Sequence, residues 1–111
     1  MKSTTRRTLI QLGLSPNYKG FNAIVEAVDI LIKDHHLKIT AVYEIAASRT
    51  NSTYSRVERN IRHSVAIILD RTDNDLLAKI FGYCVLVEGT IRDGNFLTCL
   101  TMYIQEVHNN G

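Results

Sequence analysis

Apolar residues along this chain recur mostly at helical spacing. In 21–32, Phe21, Ile24, Val25, Val28, Leu31 and Ile32 fall at i, i+3, i+4, i+7, i+10 and i+11, one face of an α-helix. Ser15-Pro16 precede it as a start signal, since proline is tolerated in a first turn. In 96–107, Phe96, Leu97, Leu100, Tyr103, Ile104 and Val107 repeat the pattern, with Asp93-Gly94-Asn95 expected as turn and cap. A shorter helix carries Leu76, Leu77, Ile80 and Phe81. Thr72 or Asp73 caps it, and Gly82 closes it. An opening helix over about 4–12 places Leu9, Ile10 and Leu12 on the core side and ends at Gly13. Two more helices cover about 39–49 and 53–70. One run, YCVLVEGTI at 83–91, looks strand-like, and no second run of its type exists to pair with it. It is expected to be an extended connection packed on the core. The pattern predicts an all-α fold of about six helices, with a central helix-turn-helix and no winged-helix hairpin.

Composition changes this picture little. The chain has 111 residues, enough to bury a core without staples, and is expected to form one domain over 1–111. Hydrophobic residues make up 45% and charged residues 22%, and the formal net charge is +2. These values fit a water-soluble globular protein and do not select a partner. Two cysteines, Cys84 and Cys99, sit in apolar surroundings. They read best as reduced thiols of a cytoplasmic protein, because the chain shows no signal peptide. No apolar run approaches the roughly 20 residues of a membrane span. The charge distribution is more telling, for Arg49, Arg56, Arg59 and Arg62 fall within a short stretch.

That stretch, AASRTNSTYSRVERNI at 46–61, has the features of a helix-turn-helix. Ala47 is small, as two closely crossing helices require. Asn51, four residues on, suits a left-handed turn position better than any residue but glycine. Ser52 and Thr53 are caps for a new helix. In that helix Tyr54, Val57, Ile61, Val65 and Ile68 form the buried stripe, with spacings of 3, 4, 4 and 3. The opposite face carries Ser55, Arg56, Glu58, Arg59, Arg62 and His63. Arginine can bond guanine O6 and N7 in the major groove, and glutamate can accept from cytosine N4. Two plainer readings stay open on spacing alone. Glu58 and Arg62 form an i,i+4 pair on a solvated face, and Ser55-x-x-Glu58 matches a capping box.

At these residues the chain resembles a known family. TYSRVERNIRHSV is similar to the recognition-helix signature of the DNA-binding effector domain of the sporulation stage-zero response regulator A, T-x-SRVERAIRHA, and departs from it at Asn60 and Ser64. LGLSPNYKGF resembles that family's entry segment, Glu26-Ala27-Val28 its EAI, and IFGY at 80–83 its L-FGY. NFLTCLTMYI is similar to its C-terminal helix. The likeness runs from about residue 8 to 108. ITAVYEIAA departs from the family's ITK-x-LYP-x-IA by lacking the proline after Tyr43 and by one residue before the turn. The resemblance implies a six-helix domain that binds a TGTCGAA-type duplex box and regulates transcription on entry into sporulation. It implies Arg56, Glu58 and Arg59 as base readers. Ser55, Arg62 and His63 would be backbone or supporting contacts, with Ser52, Thr53, Arg49 and Lys19 completing that set. An RNA polymerase sigma factor and a second copy in tandem on DNA are further candidate partners. Full-length members carry a receiver domain, and no receiver segment is expected within these residues.

Other features carry less. His35-His36 point about 100° apart on a helix end and chelate poorly, so a pair facing the helix dipole is expected and no metal site. Lys19-Gly20 precedes a helix N-terminus; a simple turn is the favoured reading, and a phosphate contact is the alternative. Lys2, Arg6 and Arg7 form either a DNA-reaching arm or a disordered terminus. No nucleophile–base–acid set and no phosphate-cradling loop is present, so neither enzyme activity nor a cofactor is expected. Two functions are carried forward. One is a sequence-specific double-stranded DNA-binding transcription regulator. The other is a helical interaction module whose arginine face docks on an acidic protein partner.

Overall fold

The computed structural model describes residues 1–82 and 91–110. Among them are six α-helices: α1 (Lys2–Gln11), α2 (Lys19–Lys33), α3 (Ile39–Arg49), α4 (Tyr54–Arg71), α5 (Asn74–Phe81) and α6 (Asp93–Asn110). No strand occurs among the described residues. The strand-like stretch and Cys84 lie outside them, save Ile91, which is half-buried just ahead of α6.

α2 is the central element because its apolar positions nearly encircle it. Phe21, Ile24, Val25, Val28, Ile30 and Leu31 are all buried, with Ala23 and Ala27 between them. A helix apolar on most sides must be covered on most sides. α1, α3, α4 and α6 all pack on α2. α5 packs on α6, where the rings of Phe81 and Phe96 stack with centroids 4.7 Å apart.

Local signals set the helix ends. At the end of α1, Gly13 adopts φ +84°, the Gly13 N–H donates to Ile10 O, and the Leu14 N–H donates to Leu9 O. This is a Schellman motif, and Leu14 and Leu9 are both buried beside it. Asp73 caps α5 by accepting from the Leu76 N–H at 3.0 Å. Thr72, the other candidate cap, instead donates its hydroxyl to Leu12 O and ties the ends of α1 and α4 together.

Five expectations are corrected. Ile10 is 54% exposed and takes no part in the core. Thr4, Thr5 and Thr8 line the inner side of α1 with Leu9, and the hydroxyls of Thr5 and Thr8 donate to carbonyls one turn back, so they are buried without an unsatisfied donor. Lys2, Arg6 and Arg7 are neither an arm nor a loose end, since all three lie within α1. α6 begins at Asp93, so the Asp93-Gly94-Asn95 segment is its first turn rather than a preceding loop. At its other end, Val107 is exposed. Finally, Lys19-Gly20 is not a turn: both residues belong to α2, and Gly20 is buried.

His35 and His36 are exposed in the α2–α3 connection, with ring centroids 4.1 Å apart. No group of three or more His, Cys, Asp or Glu among the described residues could hold a metal ion. No helix among them is long and apolar enough to cross a membrane.

Candidate nucleic-acid interface

The elbow between α3 and α4 is made by one left-handed residue. Asn51 has φ +52°, the only positive value outside glycine among the described residues. The Asn51 N–H donates to Ser48 O, and the Ser52 N–H donates to Ala47 O at 2.9 Å. These bonds satisfy the last carbonyls of α3 and turn the chain sharply. Thr53 then caps α4, its Oγ1 accepting from the Arg56 N–H at 3.2 Å. Because Thr53 is the cap, Glu58 lies too deep in the helix for a Ser55–Glu58 capping box. Tyr43 of α3 and Tyr54 of α4 meet edge to face inside the elbow, 5.6 Å between centroids. Burial pushes the Tyr43 hydroxyl well above its ordinary value, and the charges of Asp93 and Glu58 add to the effect.

α4 is divided along its length. Val57, Ile61, Ser64, Val65 and Ile68 are buried. Ser55, Arg56, Arg59, Arg62 and His63 are exposed, and Glu58 and Ser52 are half-buried. Arg62 Nη1 approaches Glu58 Oε1 at 3.3 Å. This exposed i,i+4 pair contributes only a few tenths of a kcal/mol. Arg56 and Arg59 make no ion pair among the described residues. Lys19, at the start of α2, joins them along the rim of one cleft.

Arg49 stands apart from this set. Its Nη1 donates to Asp29 Oδ2 at 2.7 Å and to Glu26 Oε1 at 3.3 Å. Lys2 also bonds Glu26, and Lys33 bonds Asp29, so the five groups tie α1, α2 and α3 together. Burial alone would raise the Asp29 carboxyl, but hydrogen bonds from Arg49 and Lys33 hold it below the usual carboxylate range. A phosphate would have to compete with two carboxylates for Arg49.

Two features of the site escape sequence reading. Asp93 lies near both Glu58 and Arg62. Its burial pushes its carboxyl up, Arg62 opposes that, and Glu58 adds to it. Asn22 and Asn60 also line the cleft beside Arg56. A helical wheel places Asn22 one turn after Lys19, but nothing in the sequence sets α2 against α4.

An arginine-bearing helix, capped by threonine and entered through a left-handed asparagine, on a bundle of helices, defines a helix-turn-helix DNA-binding domain. The family described as "Sporulation initiation factor Spo0A C terminal" matches residues 5–104, and the chain belongs to that family. It is therefore a DNA-binding effector domain of the sporulation transcription factors, all-α like the fold described above.

Proposed function

We propose that residues 1–111 act as one cytoplasmic effector domain that binds double-stranded DNA sequence-specifically, with the N-terminal half of α4 in the major groove of a TGTCGAA-type box. Arg56 and Arg59 bond guanine edges, and Glu58 accepts from cytosine N4. Ser52, Thr53, Ser55, Arg62, His63 and Lys19 hold the phosphates on either side and set the register. Arg49 contributes at most by exchanging a carboxylate for a phosphate.

The observation that carries this reading is the state of Arg56 and Arg59. Both are exposed, neither has an ion-pair partner among the described residues, and they flank Glu58 on the helix that Asn51 and Thr53 launch. Two unneutralised guanidinium groups on the exposed side of one helix suit guanine edges and phosphates. In this reading an RNA polymerase sigma factor and a second copy on an adjacent box are further partners.

The test is a salt titration of binding to a box duplex and to a scrambled duplex of the same length. The box is expected to bind tighter at every salt concentration, and Glu58→Ala is expected to relax the preference at one base pair. Equal affinities for the two duplexes would sink sequence readout and favour the acidic-partner reading of the same face.

A further inference from the structure

The recognition helix shares its cleft with an element outside the helix-turn-helix. Gly20, in the first turn of α2, lies so close to α4 that a Cβ there would collide with the Asn60 carbonyl oxygen and with Ser64 Oγ. That contact holds the N-terminal end of α2 beside α4. Between the two helices and the α3–α4 turn opens a cleft of about 580 Å³. α2 contributes Lys19 and Asn22 to its lining, and α4 contributes Arg56, Arg59 and Asn60. No carboxylate is among the described residues that line it. The cleft thus offers three cations and several carboxamide N–H donors, with no competing anion. The first turn of α2 adds to this, because no side chain caps it and it carries no acidic residue. The Phe21 N–H donates to Tyr18 O, and the positive end of the helix dipole favours a negative charge nearby.

We propose that this cleft is a phosphodiester site, in which one backbone phosphate beside the bases faced by α4 is clamped between α2 and α4 by Lys19, Asn22 and Asn60. The clamp rests on the DNA-binding reading of α4 and adds a fixed depth and register on the backbone. A phosphodiester presents one negative charge and two non-bridging acceptor oxygens. Lys19 supplies the opposing charge, and each carboxamide supplies an NH₂ that rotates to donate.

The experiment uses the whole chain with the box duplex and the scrambled duplex. Asn60→Ala and Asn22→Ala are expected to weaken binding to both by a similar factor, about tenfold, with the salt slope unchanged. Lys19→Ala is expected to weaken both and to reduce the slope by about one. Alanine is the better helix former, and thermal melts of each variant check that the fold is kept. Single methylphosphonate linkages scanned along the box then locate the phosphate. At one position the neutral linkage should weaken the unmodified protein and weaken Lys19→Ala distinctly less. Asparagine variants that bind both duplexes normally would overturn the clamp. So would losses confined to the box duplex, or a scan with no such position. Equal affinity of the unmodified protein for both duplexes overturns sequence readout instead, and uniform losses in the asparagine variants would still support the clamp.

Discussion

The Ser52 N–H donates to the Ala47 carbonyl across 2.9 Å, with Asn51 held between them at φ +52°. The direction in which α4 leaves α3 depends on that left-handed residue. Asn51→Gly removes the Cβ penalty and is expected to leave stability within a few tenths of a kcal/mol, or to raise it slightly. Asn51→Val places a β-branched residue in the same conformation and is expected to cost about 1–2 kcal/mol. Denaturant unfolding of the two variants checks this. Equal losses in both would show that the Asn51 side chain, and not its φ, makes the turn.

Gly20 and Ser64 meet where α2 crosses α4. Ser64 is buried, and its Oγ has no hydrogen-bond partner among the described residues. Ser64→Ala is therefore expected to be neutral or stabilising by up to about 1 kcal/mol. Gly20→Ala collides with the Asn60 carbonyl as well as with Ser64 Oγ, and backbone cannot rotate away. It is expected to cost about 1–3 kcal/mol. The double variant should recover only part of that loss, because the carbonyl remains. Full recovery in a double-mutant cycle would show that the hydroxyl alone sets the crossing distance.

What could be read from the sequence was local, and what could not was long-range. Asn51, Thr53 and Gly13 announce themselves because a left-handed φ or a cap depends on one residue and its immediate neighbours. The stripe on α4 was legible because Val57, Ile61, Val65 and Ile68 keep one face. α1 is harder to read because three threonines replace aliphatic residues on its inner side, with Thr5 and Thr8 bonded to their own backbone, while Ile10 lies outside the core. Gly20 looked like a turn because glycine marks turns and close crossings alike, and only Asn60, forty residues away, tells them apart. Sequence separation likewise hides the cleft and the commitment of Arg49 to Glu26 and Asp29.

Acid titration should separate two carboxylates with opposite signs. Asp29 is held below its ordinary value, so its ion pairs stabilise the fold above that value, and the contribution is lost as pH falls through the depressed one. Below about pH 4, Asp29→Asn is expected to lose less stability than the unmodified chain. Asp93 is raised mainly by burial, so protonation on the way down from neutral favours the folded state. Asp93→Asn should remove that gain. Denaturant unfolding at a series of pH values reads both. Parallel curves for the three proteins would contradict the assignment of either group.

Arg49 and Arg59 predict opposite outcomes for the same substitution. Arg59 is exposed, unpaired among the described residues, and on the rim of the cleft beside α4. Arg59→Ala is expected to cost about 1–3 kcal/mol in binding to the box duplex and almost nothing in stability. Arg49 is tied to Asp29 and Glu26, which would be left as neighbours on one side of α2 with only Lys2 and Lys33 to balance them. Arg49→Ala is therefore expected to lower stability by about 0.5–1 kcal/mol and to weaken DNA binding less than Arg59→Ala does. Measuring both quantities on both variants gives a crossed pattern. If Arg49→Ala weakened DNA binding as much as Arg59→Ala while leaving stability unchanged, its ion pairs would be dispensable and Arg49 would belong with the DNA contacts.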